Sequence, residues 1–220
     1  MTNFIPIFPL GIVVYPGENL NLHIFEPRYI QLINECFVAN KPFGIPAVID
    51  NKMREYGCMV EITEMVNGQA GGETQGLLGS TGGDIKTKGI KVFRVLEVIK
   101  DIPEKQYSGA IVTYPSTNNK GNPELMHKVM NGVRELHQLL KISKDFKKEE
   151  DTITCFNVAH HIGLSLEEEY ELLGLFDERQ RQKYLKLHLA KVIPMLTGME
   201  LLKEKIKLNG HFKNLSGFDL

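Results

Sequence analysis

The spacing of apolar positions changes near residue 115. Before it, short apolar runs are cut by glycine and proline: FIPIFPL, GIVVYPG, FGIPAVID, GCMVEITEMV, IKVFRVLEVIK and YSGAIVTYP. Runs rich in β-branched and aromatic residues, bounded by turn formers, read as strands. In IKVFRVLEVI, Ile90, Val92, Arg94 and Leu96 alternate with Lys91, Phe93, Val95 and Glu97. Neither set is purely polar, which predicts a strand covered on both faces. Together the runs predict a closed or strongly curved antiparallel sheet.

One helix interrupts these strands. Pro27 suits a first helical position, where its missing N–H is no loss. Tyr29, Leu32, Ile33, Cys36 and Phe37 then recur at spacings of three and four and predict one apolar stripe, ending near Asn40. After the polar linker STNNKGN the period becomes helical. Asn122 is placed to cap a helix with Pro123 in its first turn. Leu125, Val129, Val133, Leu136 and Leu140 form its expected stripe. A shorter helix is predicted over Ile153–Ile162, stopping at Gly163. Ser165 and Glu168 spell a capping box, and Asp177 and Gln180 mark a further start. Leu185, Leu189, Val192, Leu196, Met199, Leu202 and Ile206 continue as a stripe, with Pro194 expected to kink or split it. The tail KLNGHFKNLSGFDL is expected to fray or dock loosely. The chain is thus predicted to be α+β: a β-rich domain over 1–116 with one embedded helix, then an α-helical bundle over 117–220.

Composition narrows the function classes. The chain has 220 residues, 42% hydrophobic and 24% charged, with a net charge of −1. That composition supports a buried core and argues against a nucleic-acid footprint, which needs clustered Lys and Arg. Cys36, Cys58 and Cys155 are scattered, which favours a reducing compartment over a disulfide framework and lacks zinc-ligand spacing. The amino terminus has no positive n-region, so no signal peptide is expected, and no window is apolar enough for a membrane span. The protein is expected to be cytoplasmic.

Candidate chemistry is weighed against plainer readings. NGQAGGETQGLLGSTGGD places seven glycines between Asn67 and Gly83, but no G-x-x-x-x-G-K-[ST] run accompanies it, and a strand rather than a helix is expected next. A hairpin tip is the preferred reading. His160 and His161 are neighbours, which point apart on a helix and cannot share a metal as i, i+4 ligands do. One half-buried and one exposed histidine is the simpler account. Ser143 and Lys144 lie in the charged stretch KISKDFKKEE, and no G-x-S-x-G elbow is present. No metal and no cofactor is expected.

LHIFEPRY, residues 22–29, concentrates titratable groups. As chemistry, His23 or Glu26 is a general base and Arg28 an anion clamp. As structure, Pro27 fixes a strand-to-helix turn, Glu26 sits at a helix start where a carboxylate is favoured, Arg28 pairs with Glu26 or caps a carbonyl, and Phe25 and Tyr29 staple the helix to the sheet. The structural reading is preferred, because each residue then has a local role without a substrate. His23, Phe25, Glu26, Arg28 and Tyr29 stand as candidate binding residues.

FPLGIVVYPGENLNLHIFEPRY closely resembles the opening of the amino-terminal, substrate-binding domain of Lon proteases. The resemblance rests on Phe8-Pro9-Leu10, on Tyr15-Pro16-Gly17, and on Leu22 to Tyr29 with Pro27 at the turn. KGIKVFRVLEV is similar to a later strand of that family. The resemblance implies a PUA-like β-barrel followed by helices, and recognition of protein or peptide clients. It carries over no catalytic residue. The sequence has no Walker motif and ends at Leu220 without a protease domain, so neither ATPase nor peptidase activity is expected. A small-ligand protein or enzyme with a cleft at His23, Glu26 and Arg28 is the alternative, and an RNA-binding PUA-like protein a weaker one. The client, cooperation with a separate ATPase or protease, and homodimer formation stay open.

Overall fold

The structure is a computed structural model, and it describes residues 3–67, 77–143 and 152–215. Most of the glycine-rich segment, Lys144 and the end of the tail lie outside the described residues. The chain divides into two compact units, Met1–Asn119 with Gly163–Asp177, and Lys120–Ile162 with Glu178–Leu220.

The first unit is built on six antiparallel strands: β1 (Asn3–Pro6), β2 (Asn19–Ile24), β3 (Phe43–Ile49), β4 (Lys52–Asn67), β5 (Gly83–Ile99) and β6 (Gly109–Thr113). Their order is β1-β6-β5-β4-β3, and β2 also pairs with β5. The sheet is not closed, which corrects the expectation of a barrel. Edge strand β3 is joined by the chain just after β1, through parallel bridges of Ile7 to Gly44 and Leu10 to Ala47. The run GIVVYPG is not a strand either. Its apolar residues Val13, Val14 and Tyr15 are buried in a loop.

Strand β5 is long because it serves two partners in succession. Its first half pairs with β2 through Ile24↔Gly83 to Asn19↔Lys88, and its second half with β6 through Arg94↔Thr113 to Ile99↔Gly109. Gly89 lies at the changeover. The backbone N–H of Gly17 donates to Gly89 O at 2.8 Å, and the N–H of Gly89 donates to Glu18 O at 2.8 Å. Glu18 N–H donates back to Tyr15 O at 3.2 Å, with Pro16 and Gly17 between, and Gly17 has φ +83°. Proline followed by a positive-φ glycine is the residue pattern of a type II turn. The YPG turn therefore fills the gap between β2 and β6.

The mixed pattern of IKVFRVLEVI comes from bulges more than from coverage. Val60 pairs with Gly89 and Met59 with Lys91, leaving Ile90 as an extra residue; Val95 pairs with Val112 and Glu97 with Ile111, leaving Leu96. Ile90 and Leu96 are exposed. Each bulge shifts the inward phase by one residue, and between the two bulges Val92 and Phe93, which face opposite sides of the sheet, are both buried, so the strand is covered on both faces there.

Helix α1 (Pro27–Val38) buries Tyr29, Leu32, Ile33 and Cys36. Phe37 is exposed, contrary to the expected stripe. The helix rests on a core of Phe8, Phe43, Ile45, Cys58, Val60 and Ile85, while Met59 and Phe93 belong to a second cluster with Ile5, Ile7 and Val112. The alternation Cys58, Met59, Val60 between clusters is the two-residue period of a strand. Helix α4 (Leu166–Leu173) also belongs to this unit. It has the predicted capping box, Ser165 with Glu168. Tyr15 Oη donates to Glu169 O at 2.9 Å, and Tyr56 N–H donates to Tyr170 Oη at 3.1 Å.

The second unit is a pair of packed helices with a short third rather than a bundle of long ones. α2 (Pro123–Leu139) packs on α5 (Glu178–Leu215), with α3 (Cys155–Val158) against α5. Asn122 caps α2 as predicted, accepting from Leu125 N–H at 2.9 Å. The buried stripe is Met126, Val129, Met130, Val133, Leu136 and His137. Leu140, placed in the stripe by spacing, is the residue that ends the helix and is exposed. The predicted helix over 153–162 is α3 plus a 3-10 turn over Ala159–His161. α5 continues past Pro194 without being split. Its stripe is buried at Leu185 and Leu189, but Met199, Leu202 and Ile206 are exposed.

A buried ion pair organises this unit. Arg181 and Glu178 are 1% and 2% exposed, with Arg181 Nε donating to Glu178 Oε2 at 2.7 Å. Glu178 Oε1 accepts from Cys155 N–H at 2.7 Å, and the Arg181 guanidinium lies 4.3 Å from the Phe156 ring centroid. Burial, then the Glu178 carboxylate, push the Cys155 thiol up. It is therefore an unreactive neutral thiol.

Two outcomes follow. An added Cβ at Gly89 would lie 2.1 Å from Tyr15 O, a backbone atom that cannot swing aside. Gly89→Ala is expected to lower unfolding free energy by about 1–3 kcal/mol, read by urea denaturation; an unchanged midpoint would discount the turn's role. Arg181→Met should lower it by about 3–5 kcal/mol, since it strands the Glu178 carboxylate in the interior. The Arg181→Met/Glu178→Met double variant should recover part of that loss in the same measurement.

Candidate functional site

The predicted site residues occupy the joint between β2 and α1. Glu26 is the residue preceding helix α1, with Pro27 in its first turn as predicted. The Glu26 carboxylate makes no capping bond. It accepts instead from Arg28, at 2.6 Å from Nη2 and 2.9 Å from Nε. The Arg28 guanidinium also lies 4.5 Å from the Tyr29 ring centroid. His23 is opposite Asp84 in the β2–β5 register, and its Nδ1 lies 2.7 Å from Asp84 Oδ1. Thus the titratable groups of LHIFEPRY form two pairs, and both lie on the surface. Exposed pairs of this kind contribute roughly 0–1 kcal/mol.

The aromatic residues divide. Tyr29 is buried with its ring centroid 4.0 Å from that of Phe8, and burial pushes its phenol up against the opposing charge of Arg28. Phe25 is 65% exposed, its ring lying 6.1 Å from His23. The staple of helix to sheet is therefore Tyr29 on Phe8, and Phe25 takes no part in it. Strand alternation is the reason. Ile24 takes the inward place at the end of β2 and sends Phe25 outward.

The rest of the motif is also placed by contacts. Phe8 N–H donates to Gly44 O at 2.8 Å, and Leu10 exchanges backbone bonds with β3, donating to Pro46 O at 3.3 Å and accepting from Val48 N–H at 2.8 Å. Pro9, between them, has no N–H to leave unpaired. Phe8-Pro9-Leu10 therefore ties the chain after β1 to β3, while Pro16-Gly17 ties it to β5.

A polar cluster on α1 was not foreseen. Glu35 Oε1 accepts from Lys105 Nζ at 2.8 Å and from Gln31 Nε2 at 3.0 Å, and Glu35 Oε2 accepts from Tyr107 Oη. Gln31 Oε1 in turn accepts from Gln106 N–H at 2.9 Å, and Gln31 Nε2 donates to Glu104 O at 3.0 Å. Burial tends to raise the Glu35 carboxyl, but the hydrogen bonds from Lys105, Tyr107 and Gln31 outweigh it and hold the group below its ordinary value. The Tyr107 phenol is pushed up by burial and by the hydrogen bond it donates to the Glu35 carboxylate. Beside them burial, then the Glu35 charge, push the Cys36 thiol up to about 12. Next to Glu35 in the chain, Asn34 grips the backbone of Leu78 from both sides, Nδ2 donating to its O at 2.9 Å and Oδ1 accepting from its N–H at 2.8 Å. Polar residues flanking the apolar stripe were the visible signal. Their partners lie some seventy positions away in sequence, or 44 for Asn34, and are not legible from spacing.

Among the described residues no group of three or more His, Cys, Asp or Glu side chains is placed to hold a metal ion. No helix among them is long and apolar enough to cross a membrane.

The fold, an open antiparallel sheet with one helix over its core, is shared with solved Lon N-terminal domains. The chain belongs to the ATP-dependent protease La (LON) substrate-binding domain family, whose model matches residues 5–191. Among solved structures it is similar to a Lon N-terminal domain protein from Xanthomonas campestris, with 22% identity and a TM-score of 0.60, covering 83% of this chain and 96% of that one. It is also similar to the N-terminal domain of the Mycobacterium avium complex Lon protease, with 13% identity and a TM-score of 0.60, covering 86% and 98%.

The Glu35 cluster makes a pH dependence. A carboxyl held low in the folded chain stabilises it above the ordinary carboxylate range and ceases to do so as pH falls through its folded value. Wild type is expected to exceed Glu35→Gln in stability near neutral pH, with the gap closing below about pH 4. Urea midpoints at a series of pH values measure it, and a gap that stays constant with pH would count against the assignment.

Proposed function

We propose that the chain is a non-catalytic recognition module that binds exposed segments of client proteins, in a protein-quality-control or adaptor role. The observation that carries this reading is the family match over residues 5–191, to a substrate-binding domain rather than to a catalytic one. The buried thiols support it: all three cysteines are free and buried, and burial pushes each one up, away from nucleophilic character. The alternative, a cleft enzyme built on His23, Glu26 and Arg28, draws no support from two separate exposed pairs.

The reading includes a cytoplasmic location and two assembly partners, a separate ATPase or protease and a second copy of the chain. Met195, Met199, Leu202 and Ile206 on α5 are exposed at spacings of four, three and four. That is the spacing of a helix seam, and it gives such an assembly an apolar surface to cover. Nucleic acid fits less well, given the net charge of −1.

The test is binding of the full chain to a reduced and alkylated, permanently unfolded protein and to its native form, followed by fluorescence anisotropy. Saturable binding to the unfolded form alone is expected, with no cleavage of it in the presence or absence of ATP. Equal binding of both forms, binding of neither, or cleavage by the chain alone would each overturn the reading.

A further inference from the structure

A groove of about 590 Å³ opens beside strand β1 in the first unit. Its volume falls within the range of about 300–1,000 Å³ usual for ligand sites. Phe4, Pro42 and Tyr114 supply apolar wall, and Lys41 and Lys91 supply two cations. Phe4 is 54% exposed. Lys91 Nζ lies 3.6 Å from the centroid of the Tyr114 ring, an arrangement that steadies the ammonium without neutralising it. Among the described residues neither lysine is in an ion pair with a carboxylate, although Lys86 and Lys105 of the same unit are.

The backbone of β1 adds a directional element. Ile7 N–H donates to Ser108 O, on the β6 side, and Phe8 N–H donates the other way, to Gly44 O of β3. Along an extended strand the polar groups alternate sides with every residue. The N–H and C=O groups of Asn3 and Ile5 therefore point to β6 with those of Ile7, and those of Phe4 point away from β6, while the Phe4 ring itself lies over Gly109 of β6. Pro6, the next residue of that parity, has no N–H and ends any ladder there. One residue of β1 thus offers both a donor and an acceptor between two cations and an apolar wall.

We propose that this groove binds an extended segment of another polypeptide carrying an acidic side chain beside an apolar one. The proposal deepens the recognition reading above and rests on it. The incoming backbone pairs with Phe4, its carboxylate meets Lys41 or Lys91, and its apolar neighbour lies against Phe4, Pro42 and Tyr114. A polypeptide matches all three features together. A free carboxylate matches only the cations, and a nucleic acid has no strand edge to offer.

The experiment uses the full chain and fluorescein-labelled hexapeptides of alternating valine with glutamate or with lysine. The glutamate peptide is expected to bind about tenfold more tightly than the lysine peptide at low salt, and the difference should shrink as salt is added. Lys41→Glu/Lys91→Glu, checked for folding by circular dichroism and thermal midpoint, should reverse the preference. Competition by N-acetylglutamate amide should be far weaker than by unlabelled glutamate peptide. Equal affinity for the two peptides, a preference unchanged in the folded double variant, or competition by the single amino acid as strong as by the peptide would overturn the proposal. Two further outcomes separate the readings. Wild type that captures the unfolded protein but shows no glutamate preference leaves the recognition reading standing and removes the groove. A glutamate preference that reverses in the double variant, with no capture of unfolded protein, supports the groove and removes the broader reading.

Discussion

The first unit depends on the contact between the Tyr15–Glu18 turn and Gly89. A strand of seventeen residues cannot keep one neighbour along its whole edge when two shorter strands must share it. The changeover leaves a gap in the ladder, and buried backbone groups left there would be unpaired. The turn closes the gap with one bond in each direction between Gly89 and the Gly17–Glu18 peptide region. The approach is close enough that no side chain fits at Gly89. β2, the joint at Glu26 and the start of α1 all leave from this point, so the placement of LHIFEPRY is inherited from it.

The second unit is organised in another way. Its polar knot of Glu178, Arg181, Cys155 and Phe156 lies at the start of α5, and the apolar contact of α2 with α5 extends from there. A buried pair of this kind contributes little net stability compared with apolar residues of equal volume. Its effect is to make one register better than its neighbours, because any slip would leave a charge without its partner.

Local signals in the sequence translated well where the physics is local. Pro27 at a helix start, Asn122 as a cap, and Ser165 with Glu168 as a capping box each involve atoms within three or four residues, and each is found as read. The stripe on α1 was right for four of five members. Errors came where a remote partner decides. Ile90 and Leu96 read as covered positions, but pairing with β4 and β6 turns them into bulge residues. On α2, spacing favours Leu125 and Leu140 over the buried Met126, Met130 and His137, since spacing alone does not say which side of α2 meets α5. The barrel expectation fails for a similar reason, because closure depends on whether the two edges pair, and here β3 is bridged by the segment after β1 rather than by a continuous ladder. As to the site, LHIFEPRY stands out by its density of charge, whereas Gln31, Asn34 and Glu35 show in the sequence only as polar positions beside the stripe, with their distant partners illegible.

Asn34 has a further consequence for how the fold tolerates change. Its amide holds the backbone of Leu78 as a neighbouring strand would, and β4 is held by β5 up to Asn67↔Gly83. Both flanks of the glycine-rich segment are thus anchored independently of its length. Closing a loop between fixed ends becomes only about 0.6 kcal/mol less favourable with each doubling of the loop. The register of β4 with β5 and the grip of Asn34 on Leu78 are thus set by their own bonds, and sequence added between Asn67 and Leu77 is expected to leave both in place.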